Sequence, residues 1–367
     1  MVHPRVSAAL GAPLVGHLDP FFLSFLDRVQ ERLRSLFCTT NEMTLPISAT
    51  GSAGMEACFA NLVEDGDEVV VGVNGVFGAR MADVAERFGA RVVRVEAAWG
   101  DVIEPDAVRA ALADCRKPTL VSVVHAETST GAWQPLEEIS KLAHDAGALF
   151  LVDTVTSLGG APVEVDGWGI DACYSATQKC LSCPPGLAPV TFGPQAIARI
   201  KARRSKPRSW YFDLSLLGAY FGGERLYHHT APIAMVYALA EALDLVQEEG
   251  LPQRFERHRL NHRRLLAGLA ALGIEPAARE GSRLWMLNSV RVPTGIDEAR
   301  VRRALLERHG IEIGAGLGPW KGAVWRIGLM GESSREQNVR RFLLAFSSEI
   351  GAGNGTVRDA LAAADAI

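Results

Sequence analysis

The chain has 367 residues, of which 48% are hydrophobic and 22% are charged, and its formal net charge is -4 at pH 7. This length is sufficient for two domains with a large core, and the absence of a basic run argues against a nucleic-acid-binding surface. No apolar run is long enough to span a membrane, and the first twenty residues lack the charged start and apolar core of a secretory signal. We therefore expect a cytoplasmic protein that binds neither nucleic acid nor a membrane.

The six cysteines have no disulfide-framework spacing, which favours a reducing compartment. Cys180 and Cys183 form a C-x-x-C pair, but no second Cys or His pair flanks it at a zinc-site spacing. We predict no metal site and expect both thiols to pack in their loop. His258 and His262 are spaced i, i+4 without the glutamate of an H-E-x-x-H motif, so we predict that they lie on the exposed face of a basic helix.

Helix and strand patterns alternate along the first part of the chain. In order they predict a helix at 20–37, a helix at 55–63, strands at 68–73 and 91–95, a helix at 105–113, a strand at 119–125, a helix at 136–145, strands at 148–152, 172–176 and 188–192, and a helix at 194–203. Such alternation predicts an α/β fold with a mostly parallel sheet and helices on both faces.

The pattern changes after two long predicted helices, 232–249 and about 255–272. Shorter elements follow: strands at 284–292, 311–313 and 324–329, and helices at 296–309 and 335–350. We predict a large domain over 1–249 and a smaller α/β domain over 250–367. The alanine- and glycine-rich tail, 351–367, is expected to be peripheral.

Two of the predicted buried strands are followed by residues with ionisable side chains that could take part in a reaction. The apolar run 148–152 ends on Asp153, and the run 172–176 ends in Thr177-Gln178-Lys179. Ligands of open α/β sheets bind beyond the carboxyl ends of the strands, so a carboxylate and an amine are expected at one site. This pair suits pyridoxal 5'-phosphate, which requires a lysine to bind its aldehyde and a carboxylate to keep its ring nitrogen protonated.

Two further segments fit a site for an anionic ligand. Small residues at Thr50-Gly51-Ser52 open a helix, where backbone N–H groups and the helix dipole favour a phosphate, although a plain helix start has the same pattern. Arg326 lies inside the apolar run VWRIGL, where a guanidinium requires a partner. That partner is either a substrate carboxylate or an acidic residue of the same domain.

Five motifs occur together: VHAETSTG (124–131), VDTVTSLGG (152–160), YSATQKCLSCPPG (174–186), YHHT (227–230) and WRIGLMG (325–331). In these residues the chain resembles the class V (fold type I) pyridoxal-phosphate-dependent aminotransferases, and most closely the alanine–glyoxylate and serine–glyoxylate aminotransferases. The motifs stand in the family's order and span about residues 40 to 331.

The resemblance implies a role for each matching residue. Lys179 and Asp153 would be catalytic, Arg326 would bind the substrate α-carboxylate, and Glu127 would help to hold its loop. Tyr227 and Thr230 would reach the cofactor phosphate of a neighbouring subunit, which implies a homodimer with shared sites. The implied cofactor contacts within the chain are Thr50, Gly51, Ser52, Phe77, Thr128, Asp153, Val155, Gln178 and Lys179.

The implied reaction is transfer of an amino group from alanine or serine to glyoxylate or pyruvate, in ping-pong order through pyridoxamine phosphate. One alternative is a class V lyase of the desulfurase type, which requires a reactive cysteine late in the chain, but no cysteine follows Cys183. Another is a catalytically impaired protein that binds the cofactor. Its support is that family members usually carry a Gly-Pro-Gly-Pro loop for the substrate pocket, and Met1 to Arg5 align just after it.

Overall fold

The computed structural model describes residues 1–367 and consists of helices and strands that alternate as expected. Two short 3₁₀ turns occur at Gly318–Trp320 and Gly331–Ser333. The α-helices, in chain order, are α1 (Pro4–Ala9), α2 (Pro20–Leu36), α3 (Gly51–Leu62), α4 (Val76–Arg87), α5 (Pro105–Ala113), α6 (Glu137–Asp145), α7 (Pro194–Lys201), α8 (Leu214–Phe221), α9 (Ile233–Glu249), α10 (Leu251–Ala271), α11 (Glu298–His309), α12 (Glu336–Glu349) and α13 (Asn354–Asp365).

The strands form one large sheet and two small ones. They are β1 (Met43–Ile47), β2 (Glu68–Val73), β3 (Arg91–Glu96), β4 (Pro118–Val124), β5 (Ala126–Glu127), β6 (Ala132–Trp133), β7 (Leu149–Asp153), β8 (Ala172–Tyr174), β9 (Ala188–Phe192), β10 (Leu287–Arg291), β11 (Gly314–Ala315) and β12 (Val324–Gly328). The large sheet has seven strands in the order β1-β9-β8-β7-β4-β2-β3. The strands from β3 to β8 in this order are parallel, whereas β9 is antiparallel to both of its neighbours. The predicted α/β class and mostly parallel sheet are confirmed.

Local sequence explains where several elements begin and how closely they pack. Helix α2 starts at Pro20 because Asp19 accepts a hydrogen bond from the backbone N–H of Phe21, at 2.8 Å, which satisfies an otherwise free donor. Helix α3 lies close to the sheet at Gly54, where an added Cβ would be 3.2 Å from Cβ of Tyr174. This close approach sets the start of α3 beside the ends of the central strands.

The buried apolar residues form separate clusters. The large cluster runs from Val6 to Val246 and surrounds the seven-stranded sheet. A second cluster runs from Leu265 to Ala364 and covers the antiparallel sheet β10-β12-β11. The proposed division of the chain near residue 250 falls between the two clusters. No helix of the chain is both long and apolar enough to cross a membrane.

One expectation about the second half of the chain was wrong. His258 and His262 are buried rather than exposed, because α10 packs one face against other elements of the smaller domain, where the ring of His262 contacts Asn288 at 2.6 Å. The tail forms α13 and is peripheral, as expected, because most of its residues are exposed and only Ala360 and Ala364 are buried. The glycine-containing segment before the YHHT motif is mostly helical, because α8 continues through Gly218 to Phe221.

Candidate active site

A cavity of about 140 Å³ lies at the carboxyl ends of the parallel strands. Eight residues singled out from the sequence line it: Gly51, Ser52, Phe77, Thr128, Asp153, Val155, Gln178 and Lys179. They come from the start of α3, the start of α4, and the segments after β5, β7 and β8. Strand direction therefore brings the predicted carboxylate and amine to one site.

The remaining predicted residues do not line this cavity. Thr50 is exposed at the N-cap of α3, and its side chain makes no capping hydrogen bond. Tyr227 and Thr230 are also exposed, and Tyr227 packs against the ring of His17. Arg326 is half-buried and reaches the cavity wall through the carbonyl oxygen of Thr128.

Asp153 is a buried carboxylate held from both sides. The hydroxyl of Tyr174 donates to its Oδ2 at 2.6 Å, and the backbone N–H of Val155 donates to its Oδ1 at 2.8 Å. Burial raises the pKa of Asp153 from 3.8 to about 6, against the opposing effect of these two hydrogen bonds. The site thus has an oriented carboxylate, and a nearby cation would stabilise its ionised form.

Lys179 follows β8 in a tight turn. The backbone N–H of Ser182 donates to the carbonyl of Lys179 at 3.0 Å, and Ser182 has a positive φ of 55°. Burial lowers the pKa of the Lys179 amine. Cys180 and Cys183 are both buried in this loop, as predicted, and the Cys180 thiol donates to the carbonyl of Thr156 at 3.2 Å.

Glu127 organises the two loops that flank the cavity. Its Oε2 accepts from the backbone N–H groups of Phe77, at 3.0 Å, and Gly78, while its Oε1 accepts from the N–H and hydroxyl of Ser129. Burial raises the pKa of the Glu127 carboxyl. At Gly75 an added Cβ would be 2.4 Å from Oγ of Ser129, so glycine permits this contact between loops.

The guanidinium of Arg326 is bonded to carbonyl oxygens rather than to a carboxylate. Its Nε donates to Ala315 at 2.6 Å and its Nη1 to Thr128 at 3.0 Å. Burial lowers the pKa of Arg326. Of the two partners considered from the sequence, the acidic residue of the same domain is not observed, and the Nη2 group has no hydrogen bond within the chain.

Sequence reasoning missed six of the 14 residues that line the cavity, and two of them, Tyr174 and Arg80, contact residues that it did identify. Tyr174, the first residue of the YSATQK motif, holds Asp153 because the two are register partners on adjacent strands. Arg80 also lines the cavity, and its guanidinium lies over the Phe77 ring, 5.1 Å from the centroid. The i, i+3 spacing of Phe77 and Arg80, which both lie on α4, was a signal for this second contact.

Comparisons with known proteins agree with this arrangement. A family model described as aminotransferase class-V matches residues 15–331. The (S)-ureidoglycine–glyoxylate transaminase of Bacillus subtilis is 41% identical over 94% of this chain and 86% of its own length. The alanine–glyoxylate aminotransferase of Drosophila melanogaster is 38% identical over 94% of this chain and 89% of its own. The crystal structure of an alanine–glyoxylate aminotransferase from a Nostoc species superposes with a TM-score of 0.93 at 46% identity, over 95% of this chain and 92% of the other.

Proposed function

Since the chain belongs to the class V aminotransferase family, we propose that it transfers an amino group from a small L-amino acid to a small 2-oxo acid, with pyridoxal 5'-phosphate bound in the cavity. One observation carries this proposal: Lys179 and the buried Asp153 line the same cavity. The cytoplasm is the proposed location, because all six cysteines are free thiols.

The residues present fit this cofactor. Asp153 is buried without a hydrogen-bonded cation, so a protonated ring nitrogen would supply the charge that its site lacks. Gly51 lies where an added Cβ would be 2.6 Å from Cβ of Ala176, which keeps the first turn of α3 close to the lysine strand. Backbone N–H groups at Gly51 and Ser52 would hold the phosphate, and the flat face of Phe77 would contact the ring.

Bound pyridoxal phosphate supplies temporary storage of the amino group and stabilisation of negative charge at the donor's α-carbon. Asp153 would keep the ring nitrogen protonated, and Tyr174 and Val155 hold its carboxylate in one orientation. Lys179 would move the proton at the α-carbon, for which a partly desolvated amine of lowered pKa is suited. Arg326 would orient the donor through its α-carboxylate, because Ala315 and Thr128 fix the guanidinium while leaving Nη2 free.

We propose a homodimer in which each site uses phosphate ligands from both chains. Tyr227 and Thr230 are exposed and lie outside the cavity of their own chain. A two-fold arrangement would bring them to the cavity of the partner, since an isologous interface creates two equivalent sites. Two exposed apolar side chains next to this motif support a contact surface in this region: Leu226 precedes Tyr227 in the chain, and Trp210 stacks on His228.

The names of the relatives indicate the chemical class of the amino donor and of the oxo acceptor, but not the individual compounds. The named relatives share glyoxylate and differ in the amino donor, which is ureidoglycine for one and alanine for another. We therefore propose glyoxylate or pyruvate as acceptor and alanine or serine as donor, with ureidoglycine as a further candidate. Single methyl groups discriminate by only about 1–3 kcal/mol in such pockets, so several donors should react at different rates.

Spectroscopy with a panel of donors tests the proposal. The purified holoenzyme should lose the near-visible absorbance of its cofactor when L-alanine or L-serine is added, and regain it with glyoxylate. With L-alanine and glyoxylate, pyruvate and glycine should form in equal amounts. Sulfide release from L-cysteine without amino transfer would instead support a lyase, and an absorbance that no amino acid changes would support a cofactor-binding protein without catalysis.

A further inference from the structure

Arg254 is a buried cation that the proposed reaction does not use. It lies in the first turn of α10 and is 6% exposed. Its Nη1 donates to Oε2 of Glu249 at 2.6 Å, which pairs the charge. Burial lowers the pKa of Arg254, because removing the charged guanidinium from water is unfavourable. Its hydrogen bonds and its ion pair must offset this desolvation cost.

The other two contacts of Arg254 go to the loops of the cavity. Its Nη2 donates at 2.6 Å to the carbonyl of Cys180, the residue after Lys179. Its Nε donates at 2.8 Å to the carbonyl of Gly159, in the segment that follows Asp153. One planar guanidinium therefore bridges the backbones that carry the amine and the carboxylate of the site.

The two loops also touch each other at this point. At Gly160 an added Cβ would be 2.5 Å from Sγ of Cys180, and at Gly159 it would be 3.0 Å from Leu181. Gly159 has a positive φ of 77°, which a side chain would strain. Arg254 thus bonds to both loops at the point where Gly159 and Gly160 already pack closely against the lysine loop; we call this point the junction.

Other residues of the smaller domain hold the same junction. His258, one turn after Arg254, donates from Nδ1 to the carbonyl of Arg254 at 2.7 Å and accepts at Nε2 from the backbone N–H of Gly331 at 2.9 Å. Burial lowers the pKa of His258 to about 3, which agrees with this neutral tautomer. The backbone N–H of Glu332 donates to Oγ of Ser182 in the lysine loop at 2.8 Å.

We infer that Arg254 is a positioning residue for catalysis, which fixes the backbone beside Lys179 relative to the segment after Asp153 through the carbonyls of Cys180 and Gly159. The inference rests on the proposed role of Lys179. A lysine that moves a proton must swing at its side chain while its backbone stays in place, because misplacement by about 1 Å can reduce a rate by about a hundredfold.

The chain offers a matched control at Arg257. This arginine lies on the same helix and pairs with the same Glu249, but its Nη1 donates to the carbonyls of Gly331 and Ser334 rather than to the cavity loops. Arg254→Met should leave Glu249 paired with Arg257, and Arg257→Met should leave it paired with Arg254. Both variants lose one buried or half-buried guanidinium, but only Arg254→Met removes a direct hydrogen bond to the backbone of the lysine loop.

The first measurement uses the apoprotein. Competitive acetylation at a series of pH values, quantified by mass spectrometry of the Lys179 peptide, gives the pKa of this amine. In Arg254→Met we expect water to enter the loosened loop and the Lys179 pKa to rise measurably toward that of free lysine. Arg257→Met should lower the thermal midpoint but leave the titration of Lys179 as in the wild type.

The second measurement uses the holoenzyme. In Arg254→Met, kcat should fall about tenfold or more while KM for the donor changes less than about threefold, because the donor's carboxylate site is untouched. Arg254→Lys keeps the pairing with Glu249 but has no planar guanidinium to bond to both carbonyls. We therefore expect a smaller fall in kcat and a smaller rise in the Lys179 pKa than in Arg254→Met. If Arg254→Met does not fold, the Lys179 pKa and the kcat of Arg254→Lys test the inference instead.

The inference is overturned if folded Arg254 variants match Arg257→Met in both Lys179 pKa and kcat. Its failure is distinguishable from failure of the proposed function. Borohydride reduction of the wild-type holoenzyme should place the cofactor on Lys179, and an adduct at another lysine would refute the proposed function itself. An adduct at Lys179 together with unchanged Arg254 variants would remove only the role of Arg254.

Discussion

The carboxylate of Asp153 should stabilise the cofactor complex at the expense of the apoprotein. Its pKa rises from 3.8 to about 6 on burial, and each pKa unit corresponds to about 1.4 kcal/mol. Because the folded pKa is the higher one, this group favours folding most at low pH, and that advantage is lost as the pH rises through about 6. Above both pKa values the ionised carboxylate therefore costs the folded apoprotein about 3 kcal/mol.

Asp153→Asn removes this cost while keeping groups that can bond to Tyr174 and Val155. We expect the variant apoprotein to be more stable than the wild type by up to about 3 kcal/mol at pH 8, by about half as much at pH 5, and by little near pH 4. Transamination should be largely lost, since a neutral amide does not stabilise a protonated ring nitrogen. Stability and function are thus expected to oppose each other at this residue.

Urea denaturation of both apoproteins at these pH values measures the effect, with activity assayed on the reconstituted proteins. Asp171→Asn provides a control, because Asp171 is also buried, and its Oδ2 contacts Nε2 of His144 and the N–H of Phe150, both at 2.8 Å. We expect this control to gain no stability. An Asp153→Asn apoprotein without extra stability at pH 8, or with an advantage that does not shrink as the pH falls, would refute the reasoning. Near-normal turnover would remove Asp153 from its proposed role.

Three further predictions concern the proposed reaction. Lys179→Ala should give no covalent cofactor adduct with borohydride, and a persistent adduct at another lysine would argue against the assignment. Arg326→Gln should raise KM for the donor by about tenfold to a hundredfold, since a charge-assisted hydrogen bond contributes about 1.5–3 kcal/mol, and cofactor affinity should not change. When inactive Lys179→Ala and inactive Tyr227→Phe/Thr230→Ala proteins exchange subunits, one site of each mixed dimer should regain activity. Exchange verified by tags without recovery of activity would show that Tyr227 and Thr230 serve their own chain.

The sequence by itself determined the α/β class and the placement of the central site residues. Buried strands have continuous apolar runs whose ends are visible in the sequence, so local patterns suffice to place Asp153 and Lys179 at one edge of a sheet. The resemblance then pointed to Phe77 and Thr128, which also line the cavity, and to Arg326, which reaches the cavity wall through the carbonyl oxygen of Thr128. The placement of Asp153 and Lys179 depended only on local periodicity and on residues adjacent in the chain, whereas the roles of all these residues stay predictions.

Only the tertiary structure decided which side chains support those residues. Tyr174 bonds to Asp153 because β7 and β8 are neighbours in a particular register, which neither strand reveals separately. His258 and His262 are buried because other elements of the smaller domain cover one face of α10, although the polar composition of α10 is typical of an exposed helix. Arg254 reaches Gly159 and Cys180, 95 and 74 residues away in the chain. Contacts at such separations depend on how whole layers pack, so the residues that hold a site in place are less visible in a sequence than the residues that form it.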